Sequence, residues 1–205
     1  MKRFITLIAF FSFTFASDQI PAPQQDHAIL IKDVTIHPVS GPTIANGQIL
    51  FLDGKIMAMG NLIAQIPDGT EEISLPGKHI YPSLIAANTV MGLVEVNAVR
   101  STRDYAEVGS FNPNVRAEVS YNPDSEIIPV TRSNGVAIVL SVPRSGLVSG
   151  TSAAMMLDGW TSETATLRAP VGMHIHWPDM KVNHSSWVRK TAEEQKKERN
   201  KELKE

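Results

Sequence analysis

Cysteine is absent from the 205 residues, which excludes disulfides and thiolate metal sites outright. Any metal must be held by His, Asp, Glu, Asn or water. An excess of positive charge is missing too: 19 Lys and Arg stand against 21 Asp and Glu. A nucleic-acid binder normally shows a basic face, so that class is set aside. The phosphate-loop pattern G-x-x-x-x-G-K-[ST] does not occur, which leaves nucleotide binding without a motif. Nor is there an apolar run of the roughly 20 residues that a membrane span needs. The closest approach, Phe4 to Phe15, is shorter, and it follows Lys2 and Arg3 and ends among the small residues Thr14 and Ala16. That order of charge, apolar run and small residues reads as a signal peptide over residues 1–17, cleaved after Ala16. Without Lys2 and Arg3 the chain carries 17 basic against 21 acidic residues, a net charge near −4. The expectation is an exported protein, periplasmic or secreted, with no stable membrane span after signal removal. Lacking disulfides, it must hold together by packing.

What is present divides into three textures. Residues 18–27 are rich in Pro and Gln and read as a linker. Residues 28–81 are short apolar runs broken by turn residues, a β-sandwich-like module that opens with three or four short antiparallel strands. Within it Asn46-Gly47 and Asp53-Gly54 are hairpin signals, because both pairs tolerate positive φ. "IPDGTEEISLPGKHIYP" adds a strand, a turn and a strand. After Pro82 the pattern becomes α/β. "SLIAANTV" and "VAIVLSVP" are continuous apolar runs, as strands buried on both faces would be. Between them lie a long polar loop, Glu95 to Ser125, and a short helix with Pro129 in its first turn and Asn134-Gly135 as its stop. Strand, helix and strand in that order predict a parallel βαβ unit. A Gly/Ser loop, Arg144 to Ser152, a third apolar run, Ala153 to Leu157, and a possible fourth strand in "APVGMHIHWP" follow. The chain then reads as helix from Ser186, with Thr191 and Glu194 at capping-box spacing and almost no apolar face.

Two stretches carry a resemblance. "ILIKDVTIHPVSGPTIANGQILFLDGKIMAMG" resembles the N-terminal strands of the amidohydrolase superfamily, imidazolonepropionase-like members included. "LPGKHIYPSLIAANTVMG" resembles the segment that follows them, whose usual form ends in Pro-Gly-Leu-Ile-Asp and then His-x-His. The resemblance covers residues 28–92. It implies a composite β module followed by the first βα units of a (β/α)8 TIM barrel, here truncated within residues 82–205. It also implies hydrolysis of carbon–nitrogen bonds other than peptide bonds by metal-activated water, zinc being the first choice of ion. The departures fall on the ligands. Aligned on Pro82, Ser83 stands for Gly, Ala86 for Asp, Asn88 for the first His and Val90 for the second. Residues two apart in a strand share a face, which is how His-x-His clamps one ion; Val90 ligates nothing and Asn88 offers a weak neutral oxygen.

Replacement ligands are sought elsewhere. His174 and His176 have the right spacing on a strand, with His184 a conceivable third. His37 and His79 read as structural. In the barrel that the resemblance implies, active sites form at the strands' C-terminal ends. The loop after the first barrel strand places Glu95, Arg100, Arg103, Asp104 and Glu107 there. Glu95, Asp104 and Glu107 are candidate acid–base residues, and Arg100 and Arg103 candidate contacts to an anionic small-molecule substrate. The Gly/Ser loop could offer backbone N–H groups to an anion. The second reading is a non-catalytic module, its first-strand ligands lost and its fold kept for binding a small ligand. Substrate and oligomeric state have no signal in the residues.

Overall fold

The computed structural model describes residues 20–177 and 180–204. The expected signal peptide, residues 1–17, lies outside them, as do Asp18 and Gln19.

The first sheet has five strands. β1 (Ile29–Ile36) lies centrally, with β2 (Ile44–Leu52) antiparallel on one side and β3 (Lys55–Gly60) beyond it. The β2–β3 hairpin turns at Asp53-Gly54, both at positive φ (51° and 68°), as expected of a two-residue turn matching the strand twist. Asn46-Gly47 behaves differently from the expectation. It makes no hairpin but lies inside β2, where Asn46 at φ 49° forms a bulge. Asp33 at φ 62° forms the opposing bulge on β1, so the register slips one way and then back. An extra residue moves every following side chain to the other face. Leu30 therefore packs with Ala28, Leu50 and Ile63 on one face, while Val34 and Ile36 pack with Ile49 on the other.

The opposite side of β1 is covered by β4 (Glu71–Ser74) and β5 (His79–Ile80), both parallel to it. They are successive pieces of one interrupted strand rather than a hairpin, separated by Pro76-Gly77, with Gly77 at φ 73°. Residues of the expected linker join this sheet: Gln25 Oε1 accepts from Gly54 N (2.9 Å) and His27 Nε2 lies 3.0 Å from Glu71 Oε2.

The second sheet runs β6 (Leu84–Thr89), β7 (Val136–Ser141), β8 (Val148–Met156), β9 (Thr166–Ile175). β6 and β7 are parallel and joined through α1 (Ile127–Ser133), so the βαβ unit forms as read. Pro129 sits in the first turn of α1 and Gly135 stops it at φ 86°. The continuation as further parallel βα units does not form. β8 is antiparallel to β7 and β9 antiparallel to β8. The cause is the connection: a parallel crossover needs a dozen or more residues, and residues 142–147 can only turn back. The Gly/Ser loop is correspondingly short, since Val148 to Ser152 are already β8. β6, expected to be buried on both faces, is an edge strand with Leu84 62% and Ile85 65% exposed.

The core of this half is one cluster: Val139, Ala153, Met155 and Leu157 from β7, β8 and its end, Ile128 and Ala165 from α1 and α2 (Ser162–Ala165), and Leu93, Ala117 and Tyr121 from the segment between β6 and α1. The last helix, α3 (Ala192–Glu202), begins later than Ser186 but with the expected cap. Thr191 Oγ1 accepts from Glu194 N and Glu194 Oε2 from Thr191 N (3.3 and 2.7 Å). No helix among the described residues is long and apolar enough to cross a membrane.

Candidate functional site

The end of the parallel pair β6/β7 is locked by short contacts. Val142 N donates to Thr89 O (2.8 Å), Met91 N to Thr89 Oγ1 (3.1 Å), and the buried Ser141 hydroxyl to Met91 O (2.8 Å). Asn88, at φ 59°, adopts the left-handed conformation that Asn tolerates better than most residues. Its oxygens are already engaged: Arg144 Nη2 donates to Asn88 O at 2.7 Å and lies 3.4 Å from Asn88 Oδ1. Arg144 is itself fixed through its backbone, whose N donates to Tyr105 O (2.7 Å).

Glu95 is half-buried beyond the strand, where Asn122 Nδ2 and Ser125 Oγ donate to its two oxygens (3.1 and 2.8 Å). Beneath it Asn122 N donates to Gly92 O (2.7 Å), and Gly92, at φ 74°, rests on the Tyr121 ring. Tyr121 is buried with its hydroxyl unpartnered. Burial, reinforced by the negative charge of Glu95, pushes its ionisation up to about 12. Glu95 thus holds the long loop to the N-terminal end of α1.

Arg100 lies in a 3-10 turn (Arg100–Thr102), and Arg103 bridges to Val94. Arg100, Asp104 and Glu107 are exposed and Arg103 is half-buried; among the described residues none of the four is in an ion pair. The Glu107 carboxylate accepts from Val108 N (2.9 Å).

His174 and His176 stand two apart on and just beyond β9, His174 half-buried and His176 exposed. Burial holds the His174 imidazole below its usual range, and His176 lowers it further. Among the described residues no group of three or more His, Cys, Asp or Glu is placed to hold a metal ion, so His184 does not complete a set. At the end of β6 the donors do not fit a metal either: Val90 has none, and the Asn88 oxygens face a guanidinium.

The Gly/Ser segment has a different use from the anion cradle expected of it. Ser145 N donates to Ser149 Oγ, and Leu147 N and Val148 N both donate to Ser110 O. A Cβ on Gly146 would lie 2.5 Å from Ser110 Cα, and one on Gly150 2.5 Å from Val115 O. These glycines let the long loop lie directly on β8, where Phe111 and Arg116 bridge to Val148 and Thr151.

Three side chains escaped the sequence reading: Tyr121, Arg144, and Glu118, which is buried with one oxygen on Arg116 Nε (2.7 Å) and the other unpartnered. The Asn-Pro-Asp run gave a signal for the first. Asp124 N donates to Asn122 Oδ1 (3.1 Å), a turn that delivers the chain into α1.

With this geometry the comparisons with known proteins can be placed. No family model matches the chain, and no curated protein does. Among solved structures it is similar to an amidohydrolase from Thermotoga maritima, with a TM-score of 0.67 and 26% identity over 74% of this chain. The likeness supports the amidohydrolase superfamily. The chain spans 39% of that protein's length. A prolidase complexed with N-methylphosphonate-L-proline overlaps 55% of this chain and 25% of its own at 16% identity, but a TM-score of 0.37 carries no weight. The amidohydrolase-like architecture is a mixed α/β one of two sheets, made mostly of strands.

Proposed function

We propose that the chain works as part of an amidohydrolase-like hydrolase acting on carbon–nitrogen bonds, other than peptide bonds, of a small molecule. The observation that carries this reading is the likeness to the Thermotoga maritima amidohydrolase across 74% of the chain. The loop after β6 supplies groups for such a reaction. Asp104 and Glu107 are exposed carboxylates free to take a proton, Arg100 and Arg103 are cations for an anionic substrate, and Glu95 fixes the loop that carries them. A zinc ion would need ligands additional to His174 and His176, because structural and catalytic zinc takes at least three protein ligands. Export belongs to the same proposal and rests on residues 2–16.

One observation favours a second reading, a binding module without catalysis: the first-strand ligand position is occupied by the Asn88–Arg144 pair. The two part under a direct assay. The natural protein containing this chain, supplied with zinc, is incubated with cyclic amides, N-acyl amino acids and ureas. Turnover that falls at least about a hundredfold in Asp104→Asn or Glu107→Gln, the lower end of acid–base catalysis, supports the hydrolase. Absence of turnover across the panel in folded, zinc-supplied protein overturns it in favour of binding.

A further inference from the structure

The end of the β6/β7 pair presents a cation that belongs to the chain itself. Arg144 is anchored by two carbonyl oxygens of Asn88, which orient its guanidinium but cancel none of its charge. Among the described residues it has no carboxylate partner, and its side chain is exposed. Arg carries five N–H donors in a rigid plane, and the contacts to Asn88 use only Nη2. Immediately next in the chain, the Ser145 hydroxyl is buried without a partner. The backbone on either side is fixed, by Tyr105 O at Arg144 N and by Ser149 Oγ at Ser145 N. The head group is therefore held in place rather than free to fold back on a surface acid.

We infer that this corner is an oxyanion site: Arg144, positioned by Asn88, binds a small carboxylate where the family-type first strand would hold a metal ion. The planar fork matches a carboxylate through two parallel N–H···O bonds. The same charge opposes a divalent cation at Asn88, so the corner takes one or the other. This site goes beyond the hydrolase reading and does not depend on it, since a carboxylate can dock here whether or not a bond is cut.

The test is a titration of the purified chain with sodium acetate against sodium chloride at matched ionic strength, read at the Arg144 Nε–Hε resonance. Saturable shifts with acetate but not chloride are expected. Affinity should weaken at least about tenfold in Arg144→Gln, and by less in Arg144→Lys, which keeps the charge but loses the fork. Lys55→Gln, at the start of β3 on the other sheet, should leave it unchanged. If Arg144→Gln does not fold, as read from its backbone amide spectrum, Arg144→Lys decides. No saturable shift in the wild type, or equal affinity in Arg144→Lys and wild type, overturns the site. So does zinc chloride producing a saturable shift at Asn88 while acetate produces none. None of these readouts involves turnover, so the site can fail while the hydrolase reading stands, and the reverse.

Discussion

The two sheets solve the problem of a small core in opposite ways. The first draws most of its buried apolar residues from its own strands, with Ala28 and Ile63 just beyond them, and splits them into two clusters, one per face, through the paired bulges at Asp33 and Asn46. The second draws three of its buried residues, Leu93, Ala117 and Tyr121, from the segment between β6 and α1 that contains the long loop. What reads as a polar flap is therefore part of the packing, and the groups that could act on a substrate hang from a segment that cannot be lifted away without opening the core.

The largest expected effect tests that dependence. Gly92→Ala forces a Cβ to within 2.3 Å of the Tyr121 ring at φ 74°. It should cost about 3 kcal/mol or more in urea unfolding, the range of overpacking combined with backbone strain. Gly54→Ala, at φ 68° on the first sheet with nothing within 4 Å, should cost only about 1 kcal/mol. Equal costs would mean that the loop is not packed on the core. Glu95→Ala comes next. It removes the carboxylate that accepts from Ser125 Oγ and Asn122 Nδ2 and should destabilise by about 2 kcal/mol. Tyr121→Phe should be neutral or stabilise by up to about 1 kcal/mol, since it removes a buried hydroxyl that has no partner. The same substitution should remove an absorbance titration centred at about 12.

The smallest effect separates the sheets by the sign of its pH dependence. His174, held low by burial, binds fewer protons folded than unfolded, so its contribution is complete above the usual imidazole value of about 6.5 and is lost as pH falls through the window below it. His27 is raised by its hydrogen bonds to Glu71 and Asp26, so its contribution is complete below about 6.5 and is lost as pH rises through its folded value. Denaturant melts across pH 5 to 8 on His174→Ala and His27→Ala should each remove one of these opposite slopes.

Much of the frame was legible because it rests on local chemistry. Asp53-Gly54 turns a hairpin because both residues accept positive φ. Pro129 and Gly135 bracket α1 by what they cannot and can do with the backbone, and Thr191 caps α3 through its own oxygen. The sense of β8 was not legible from its apolar run, which suits a parallel and an antiparallel strand equally; the length of residues 142–147 was the signal, and it was masked by reading Val148–Ser152 as loop. Asn46-Gly47 failed as a turn because a bulge uses the same φ. At the site, Asn88 and Val90 were readable as poor metal donors from their side chains alone. The guanidinium on Asn88 was not, because it arrives from the far end of β7 and only the parallel pairing brings the two together.

The proposed carboxylate site puts Arg144, and not a metal ion, at the corner where β6 ends. Elemental analysis of the folded wild-type chain, beside Asn88→Ala and the His174→Ala/His176→Ala double variant, tests it most directly. No stoichiometric divalent metal is expected in any of the three. Stoichiometric metal that survives loss of both histidines and disappears in Asn88→Ala would contradict it.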